Sequence, residues 1–575
     1  MNKEYKNETY KDAGVEKGFT TKALITVLAL ILAFALTLSS CGSVADAGSS
    51  DVTTTAAALD NAVSKSEMFT ERDLSDDYDE SEAETITLSG NSAKTSAASG
   101  VSVDGSTITI SAEGVYIVSG SLSDGQIIVD ADDAAKVQIV LKDASITSSD
   151  SAAVYVKSAD KVFVTTAAGT DNTLANGGSF TADGDTNVDG AVFAKDDITF
   201  NGSGSLTISS PAGHGVVGND DVKFGGGTYV ITASGHGVKA NDSARFAESD
   251  VTITSGSDKD GVHVADSDIE DAAQSESFFY MADGSLTINA QDDGIHADAK
   301  VLIEGGSITI NESYEGIEGL SIQISGGSTT VVATDDGLNA AGGNSTSGNG
   351  AFGGDDWNGG GMMNDGGNGG SIAISGGNVS ITAGGDGVDS NGSVEITGGY
   401  TVVQGPSSGD TSVLDYNGTA AISGGTFIGT GGAGMAENFS SASQGLIAVS
   451  TGNQSSGSSV TLKDATGNVI AEVTPTLDYA VVYISTEDMK QGETYTLTAG
   501  TYSESITLSD IMYSTLSGGM GGSFGGGGPR GGMNEGGMHG GKGGMNGDML
   551  QGGPGQGSGT DSVTGATQLS GDEAA

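Results

Sequence analysis

The sequence predicts an all-β chain wound as a parallel β-helix, a solenoid with about 22 residues per coil. Two markers of common period and the short runs between them point to it. The first marker is an acidic or histidine residue before a glycine, at Asp189-Gly190, His214-Gly215, His236-Gly237, Asp260-Gly261, Asp293-Gly294, Glu315-Gly316, Asp336-Gly337 and Asp386-Gly387, in steps of 25, 22, 24, 33, 22, 21 and 50 residues. The second is the Gly-Gly pairs Gly305-Gly306, Gly326-Gly327, Gly376-Gly377, Gly398-Gly399 and Gly424-Gly425, which keep much the same step. In the unit from Asp292 to Gly316, alternating runs lie around Ile295, Val301 to Ile303 and Ile308 to Ile310, with Asp293-Gly294, Asp298 and Gly305-Gly306 as turn formers between them. Each run is too short for a helix, and three strands with three turns per repeat let coil stack on coil around one inward ladder. A leucine-rich repeat needs a leucine ladder, whereas the inward positions here are Ile, Val, Ala and Phe. A hairpin sandwich would space its turns about 8 to 12 residues apart without grouping them in threes.

Residues 1–22 are polar with several lysines, and Ala23 to Ser40 form an apolar stretch ending in Leu38-Ser39-Ser40-Cys41. That tetrapeptide resembles a bacterial lipobox. It makes Cys41, the single cysteine of the chain, the expected lipidation site, and residues 1–41 a lipoprotein signal peptide. A plain signal peptide or an N-terminal membrane anchor is the alternative. Residues 42–84, rich in Ser, Ala, Asp, Thr and Glu, read as an acidic disordered tether. Strand-like alternation begins near Thr85, and the β-helix is expected over 85–440. Its period breaks at 267–279 and at 341–370, the latter rich in Gly and Asn around Trp357, and insertions in a solenoid must leave at a turn. Longer segments over 441–516 suggest a small antiparallel β cap on the open end. Residues 517–575, mostly Gly, Met and polar, read as a disordered tail.

Only 5% of residues are aromatic and 96 are glycine, which suits a thin, tightly wound solenoid. A net charge of −53 repels nucleic acid and anionic lipid, so partners should be neutral, cationic, or anions bridged by a metal. No phosphate-binding loop, nucleotide motif or Cys/His zinc cluster stands out in the sequence.

Stacking sets equivalent residues about 4.8 Å apart. The position before each glycine thereby becomes a column of Asp260, Asp293, Glu315, Asp336 and Asp386. At that spacing neighbouring carboxylates repel by about 0.9 kcal/mol in water and about 3.5 kcal/mol at an effective dielectric of 20. Two places past the glycine the column reads His263, His296, Glu318, Asn339, Asp389, and four past it holds Asn219, Asn241, Asp298 and Asn391. Carboxylate and amide oxygens on facing turns are the ligand set of Ca²⁺, so calcium is expected on Asp260, Asp293, Asp298, Glu315, Glu318, Asp336, Asp386 and Asp389. Asp and Asn before glycine also favour tight turns, but acids in the second column need another reason. His214, His236, His263 and His296 divide between two columns and read as surface polar groups or sugar contacts, a transition metal being the weaker alternative. His263 and His296 are the expected substrate contacts, with Tyr314, Tyr400, Tyr416 and Trp357 as rings to stack on sugar faces.

Ser151 to Val164, Gly169 to Leu174, Asp189 to Ile198, Gly384 to Ser393, Leu414-Asp415-Tyr416 and Gly434-Met435-Ala436 closely resemble the clostridial carbohydrate-binding β-helix family, over about Ile86 to Thr498. The resemblance implies a right-handed helix like that of pectate lyases, bound calcium, and binding of cellulose and acidic sugars such as polygalacturonate. The chain departs from the family by His-Gly at His214 and His236, where many members show Asp-Gly, and by the Trp357 insertion. A lyase would abstract a proton with Arg or Lys beside a calcium-bound uronate, yet the arginines are only Arg72, Arg245 and Arg530. Asp335-Asp336, or Asp386 with Asp389, would suit a hydrolase. The Gly-His-Gly elements at Gly213 to Gly215 and Gly235 to Gly237 resemble those of polygalacturonases, but they precede every candidate Asp pair, the reverse of that family's order. The expectation is a non-catalytic extracellular lipoprotein, anchored to the bacterial cell membrane, that binds plant-type polysaccharide: polygalacturonate first, cellulose second. A calcium-dependent lyase, a polygalacturonase-like hydrolase and an adhesive surface solenoid are the alternatives.

Overall fold

The structure, a computed structural model, describes residues 63–266, 274–340, 369–406 and 411–516. All of these fall in one compact unit. Apart from one helical turn, Lys65–Met68, the regular elements are strands, most of them in a single large sheet that closes through successive parallel pairings. The strands form three stacks. Val216, Val238, Val262, Ile295, Ile317, Leu338, Val388 and Leu414 pair in register down the first sheet. Ile198, Val222, Ala244, Phe279, Val301, Ile322, Ile372 and Val394 do so down the second, and Ile208, Ile231, Ile253, Ile288, Ile310, Val331, Ile381 and Val403 down the third. These inward ladders are buried and fuse into one core, in which Phe200, Phe224 and Phe246 stack at centroid separations of 4.9 and 5.0 Å.

Packing explains both sequence markers. In the acid–glycine pairs the glycine faces the third sheet: a Cβ on Gly237 would lie 2.2 Å from Ile253 Cγ2, and one on Gly337 would lie 2.3 Å from Ile381 Cγ2. In the Gly-Gly pairs the second glycine takes a left-handed φ, +73° at Gly306 and +78° at Gly377, which side chains rarely adopt. Both breaks of period fall at the same corner, between the first and second sheets. One lies between Val262–Val264 and Phe278–Met281, the other between Leu338–Ala340 and Ser371–Ile374.

The last coil hands over to antiparallel pairing. Strand Thr419–Gly431 pairs with Tyr479–Thr486, which pairs with Leu446–Gln454. A separate antiparallel sheet of four strands, Val469–Val473, Val460–Lys463, Thr494–Ala499 and Tyr502–Thr507, closes over a second core around Val449, Leu462, Leu497 and Ile506.

The tether expected over 42–84 is shorter than its composition suggests, because residues from Val63 onward lie along the second sheet. Phe69 packs on Tyr280, Arg72 covers the Phe163 ring at 4.3 Å, and buried Asp73 meets Lys161 Nζ at 2.7 Å and accepts from Thr199 Oγ1 at 2.9 Å. Lys65 bonds Glu248 and Asp283. A few apolar anchors and one matched buried charge hold a segment that its acid content alone marks as solvated. Residues 1–62 and 517–575, with the expected signal peptide, most of the tether and the tail, lie outside the described residues.

Candidate functional site

The outward face of the first sheet carries two columns. In the column before each glycine, a side chain accepts the backbone N–H of its counterpart one coil on. His214 Nδ1 accepts from His236 N at 2.9 Å, His236 Nδ1 from Asp260 N at 3.0 Å, Asp260 Oδ1 from Asp293 N at 3.2 Å and Asp336 Oδ1 from Asp386 N at 2.6 Å; Asp386 accepts from Ser412 N. Five of these residues therefore do structural work, whichever acceptor occupies the place. The second column runs in register through Lys239, His263, His296, Glu318, Asn339, Asp389 and Asp415.

The histidines divide between columns in the backbone but not in space. Their side chains lean together into one stack, with centroids 5.0 Å apart for His214 and His236, 4.4 Å for His236 and His263, and 4.9 Å for His263 and His296. Burial pushes His214 down to about 3 and His236 to about 2, and both rings stay neutral. Burial opposes ionisation of Asp260, but the His263 ring at 2.6 Å outweighs it and holds that carboxyl at about 2. His296 is different. Burial lowers its pKa, yet Asp293, Asp298 and Glu318 around it raise it well above the ordinary value. Its Nδ1 lies 2.5 Å from Glu318 Oε2 and 3.4 Å from Asp293 Oδ2, and its Nε2 lies 3.2 Å from Asp298 Oδ1.

Among the described residues, no basic side chain forms an ion pair with Glu315, Asp336 or Asp386. Burial, then the charge of Glu318, raises Glu315 to about 8. Burial, then Asp386, raises Asp336 to about 9, and burial with Asp415 and Asp389 raises Asp386 to about 7. Asn339 donates Nδ2 to Glu315 Oε2 at 2.8 Å, while its buried Oδ1 has no protein partner. A buried carbonyl oxygen beside carboxylates that resist ionisation is an oxygen-donor set of the kind that hard cations take.

Of the expected residues, the structure thus brings Asp260, Asp293, Asp298, His263, His296 and Glu318 into one cluster, and lines up Glu315, Asp336, Asp386 and Asp389 on the same face. Asp292, which the sequence reading passed over, joins Asp260 and Asp293 with carboxylate oxygens within 4.8 Å of one another. The Asp292-Asp293 doublet was its only signal. The tyrosines separate. Tyr314 is exposed beside Glu315. Tyr400 pairs with Asn378 on the third sheet, and Tyr416 turns its ring toward the core, its hydroxyl donating to Asn438 O at 2.7 Å, so neither joins this face. Tyrosine identity alone could not tell which sheet each occupied. Trp357 and Cys41 lie outside the described residues. Arg245 sits on the second sheet, bound to Asp221 at 2.9 Å.

Residues 104–355 match the family model described as carbohydrate-binding domain-containing protein. A carbohydrate-binding domain-containing protein of Acetivibrio thermocellus is 35% identical over 136 residues, which cover 23% of this chain and 48% of that protein. The chain therefore spans about half the length of that relative. Among solved structures, the polysaccharide lyase-like protein from C. thermocellum is 27% identical, covering 43% of this chain and 93% of that one at a TM-score of 0.35, too low to equate the two folds.

Proposed function

We propose that the chain is a surface-anchored, non-catalytic polysaccharide-binding protein whose first sheet holds an acidic glycan, polygalacturonate before cellulose, through bound calcium. The observation that carries the reading is the run of Glu315, Asp336, Asn339, Asp386 and Asp389. The Glu315, Asp336 and Asp386 carboxyls resist ionisation where they stand, and the buried amide oxygen of Asn339 lacks a protein partner. That donor set is all oxygen and fits Ca²⁺, which would supply the positive charge linking protein carboxylates to glycan carboxylates. The residues themselves offer a ladder at the coil spacing, about 4.8 Å, to a polymer that also repeats, with Tyr314 exposed at its side. The carbohydrate-binding match over 104–355 supports the ligand class. The position of Arg245, on another sheet and already bound to Asp221, favours binding over a lyase reaction here. Anchoring would run through lipidated Cys41 to the cell membrane; Cys41→Ala would then leave unprocessed precursor, and detergent extraction unchanged by that substitution would contradict it.

Retention on polygalacturonate tests the function. Binding should vanish with EDTA, return with excess Ca²⁺, and fall for Asp336→Ala combined with Asp389→Ala, with the polymer intact. Chelator-insensitive retention would remove the calcium bridge, and release of unsaturated uronides absorbing in the ultraviolet would make the protein a lyase.

A further inference from the structure

We infer that Asp293, His296 and Glu318 form a seat for one divalent ion of the zinc class, distinct in chemistry from the all-oxygen calcium run beyond it. The inference does not depend on the glycan reading. His296 Nδ1, Asp293 Oδ2 and Glu318 Oε2 converge on one point of the first sheet, supplied by the turn and strand of one coil and by the register partner in the next. The far side of the ring is fixed: Nε2 faces Asp298 Oδ1 at 3.2 Å, so Nε2–H donates there and Nδ1 is the nitrogen turned to the two carboxylates. A carboxylate that orients a ligating histidine from behind is the usual outer partner of a metal-bound imidazole.

Charge argues for a divalent occupant. Nδ1 turned toward two carboxylates calls for positive charge between them, which a proton supplies in part and a metal ion supplies in full. With Asp293, Asp298 and Glu318 ionised the cluster carries −3, which a divalent ion on the neutral ring reduces to −1, and a small net charge suits a buried cluster. Without a metal, burial and the Asp260, Glu318 and Glu315 charges hold the Asp293 carboxyl well above the usual carboxylate range. The three ligand atoms lie within 4.8 Å of one another, against about 3.3 Å between ligand atoms of a tetrahedral site at ordinary zinc distances. Asp293 Oδ2 is already 3.4 Å from Nδ1, while Glu318 Oε2, at 2.5 Å, has to withdraw as the proton leaves. Three protein ligands leave the fourth position to water. A nitrogen donor selects the zinc class over Ca²⁺, which takes oxygens.

The neighbouring group of His236, Asp260 and His263 has the same composition but not the same freedom. The His236 Nδ1 lone pair is already used by the Asp260 backbone N–H at 3.0 Å. In the Asp293 group His296 Nδ1 faces two carboxylates, Asp293 and Glu318, whereas in the neighbouring group His263 Nδ1 faces Asp260 alone.

The test is calorimetric titration of the full chain, stripped with EDTA, with Zn²⁺ in a large excess of Ca²⁺ so that all-oxygen sites are filled. His296→Asn and Glu318→Gln should each lower the zinc stoichiometry by one equivalent. Asp298→Asn should weaken that equivalent about 10- to 100-fold, and His214→Asn should leave it unchanged. Titration with Co²⁺ adds a readout independent of heat, since a four-coordinate site gives visible absorption that the same two variants should abolish. Circular dichroism checks each variant's fold; if His296→Asn does not fold, Glu318→Gln alone decides. A zinc stoichiometry and cobalt spectrum the same in folded Glu318→Gln as in the parent protein would overturn the inference, as would no zinc retained under calcium.

Discussion

His236 and Asp336 hold equivalent places, each before a glycine that faces the third sheet and each accepting the amide of the next coil. The turn is served equally well by both. What differs is charge: a buried imidazole escapes the cost of burial by staying neutral, and its flat ring stacks on the next, whereas a buried carboxylate next to its counterparts has only protonation or a cation to turn to. One repeat position thus makes a self-sufficient end of the face from histidines and, from acids, an end whose charge only protonation or a cation relieves, with His296 at the boundary.

The largest effect should come from what the two ends share. Gly237→Ala and Gly337→Ala each force a Cβ within 2.2 to 2.3 Å of an isoleucine methyl, so each should lose about 1–3 kcal/mol in urea unfolding. Equal losses confirm a common scaffold, and a mild loss at one end only would show that the packing differs there.

The pH dependence in EDTA should then separate the ends with opposite signs. His214 and His236 titrate near 3 and 2 when folded and near 6.5 when unfolded, so the unfolded chain binds more protons in that interval and stability falls as pH drops from about 6.5 to about 3. Glu315, Asp336 and Asp386 titrate near 8, 9 and 7 when folded and near 4 when unfolded, so the folded chain binds more protons and stability falls as pH rises from about 4 to about 9. His214→Asn with His236→Asn should flatten the acid limb alone, and Asp336→Asn the alkaline limb alone. Denaturation midpoints against pH would show a mistake as a variant that changes the other limb.

A smaller effect is expected at Asn339. Asn339→Ala removes an unpartnered oxygen and one hydrogen bond to Glu315, so without metal it should cost under about 1 kcal/mol. With Ca²⁺ present the gap between variant and parent should widen, and a constant gap would take Asn339 out of the calcium set.

The coil architecture was legible because its causes are local: the glycines before Ile253 and Ile381 and the left-handed second glycines are demanded by each coil, and so recur in the sequence. The acid columns followed from the same period. The ring stack did not, since strand periodicity gives backbone positions and says nothing of side chains leaning from one column to the next, as His236 and His263 do. The segment around Asp73 was hidden because its acids outnumber its anchors, and only the solenoid shows Lys161 waiting beneath. Tyr416 was legible in principle: it stands two places after Leu414 of the inward ladder, so strand alternation turns its ring inward while Asp415 between them faces out.

The most direct measurement of the central claim is calorimetric melting in EDTA and in Ca²⁺ for the parent chain, for Asp336→Asn with Asp386→Asn, and for His214→Asn with His236→Asn. Binding to the folded state alone raises the transition by mass action. Ca²⁺ should raise the melting temperature of the parent and of the histidine variant by the same amount and leave the aspartate variant unmoved. Identical EDTA and Ca²⁺ curves for the parent, or an undiminished calcium shift in the aspartate variant, would contradict the account.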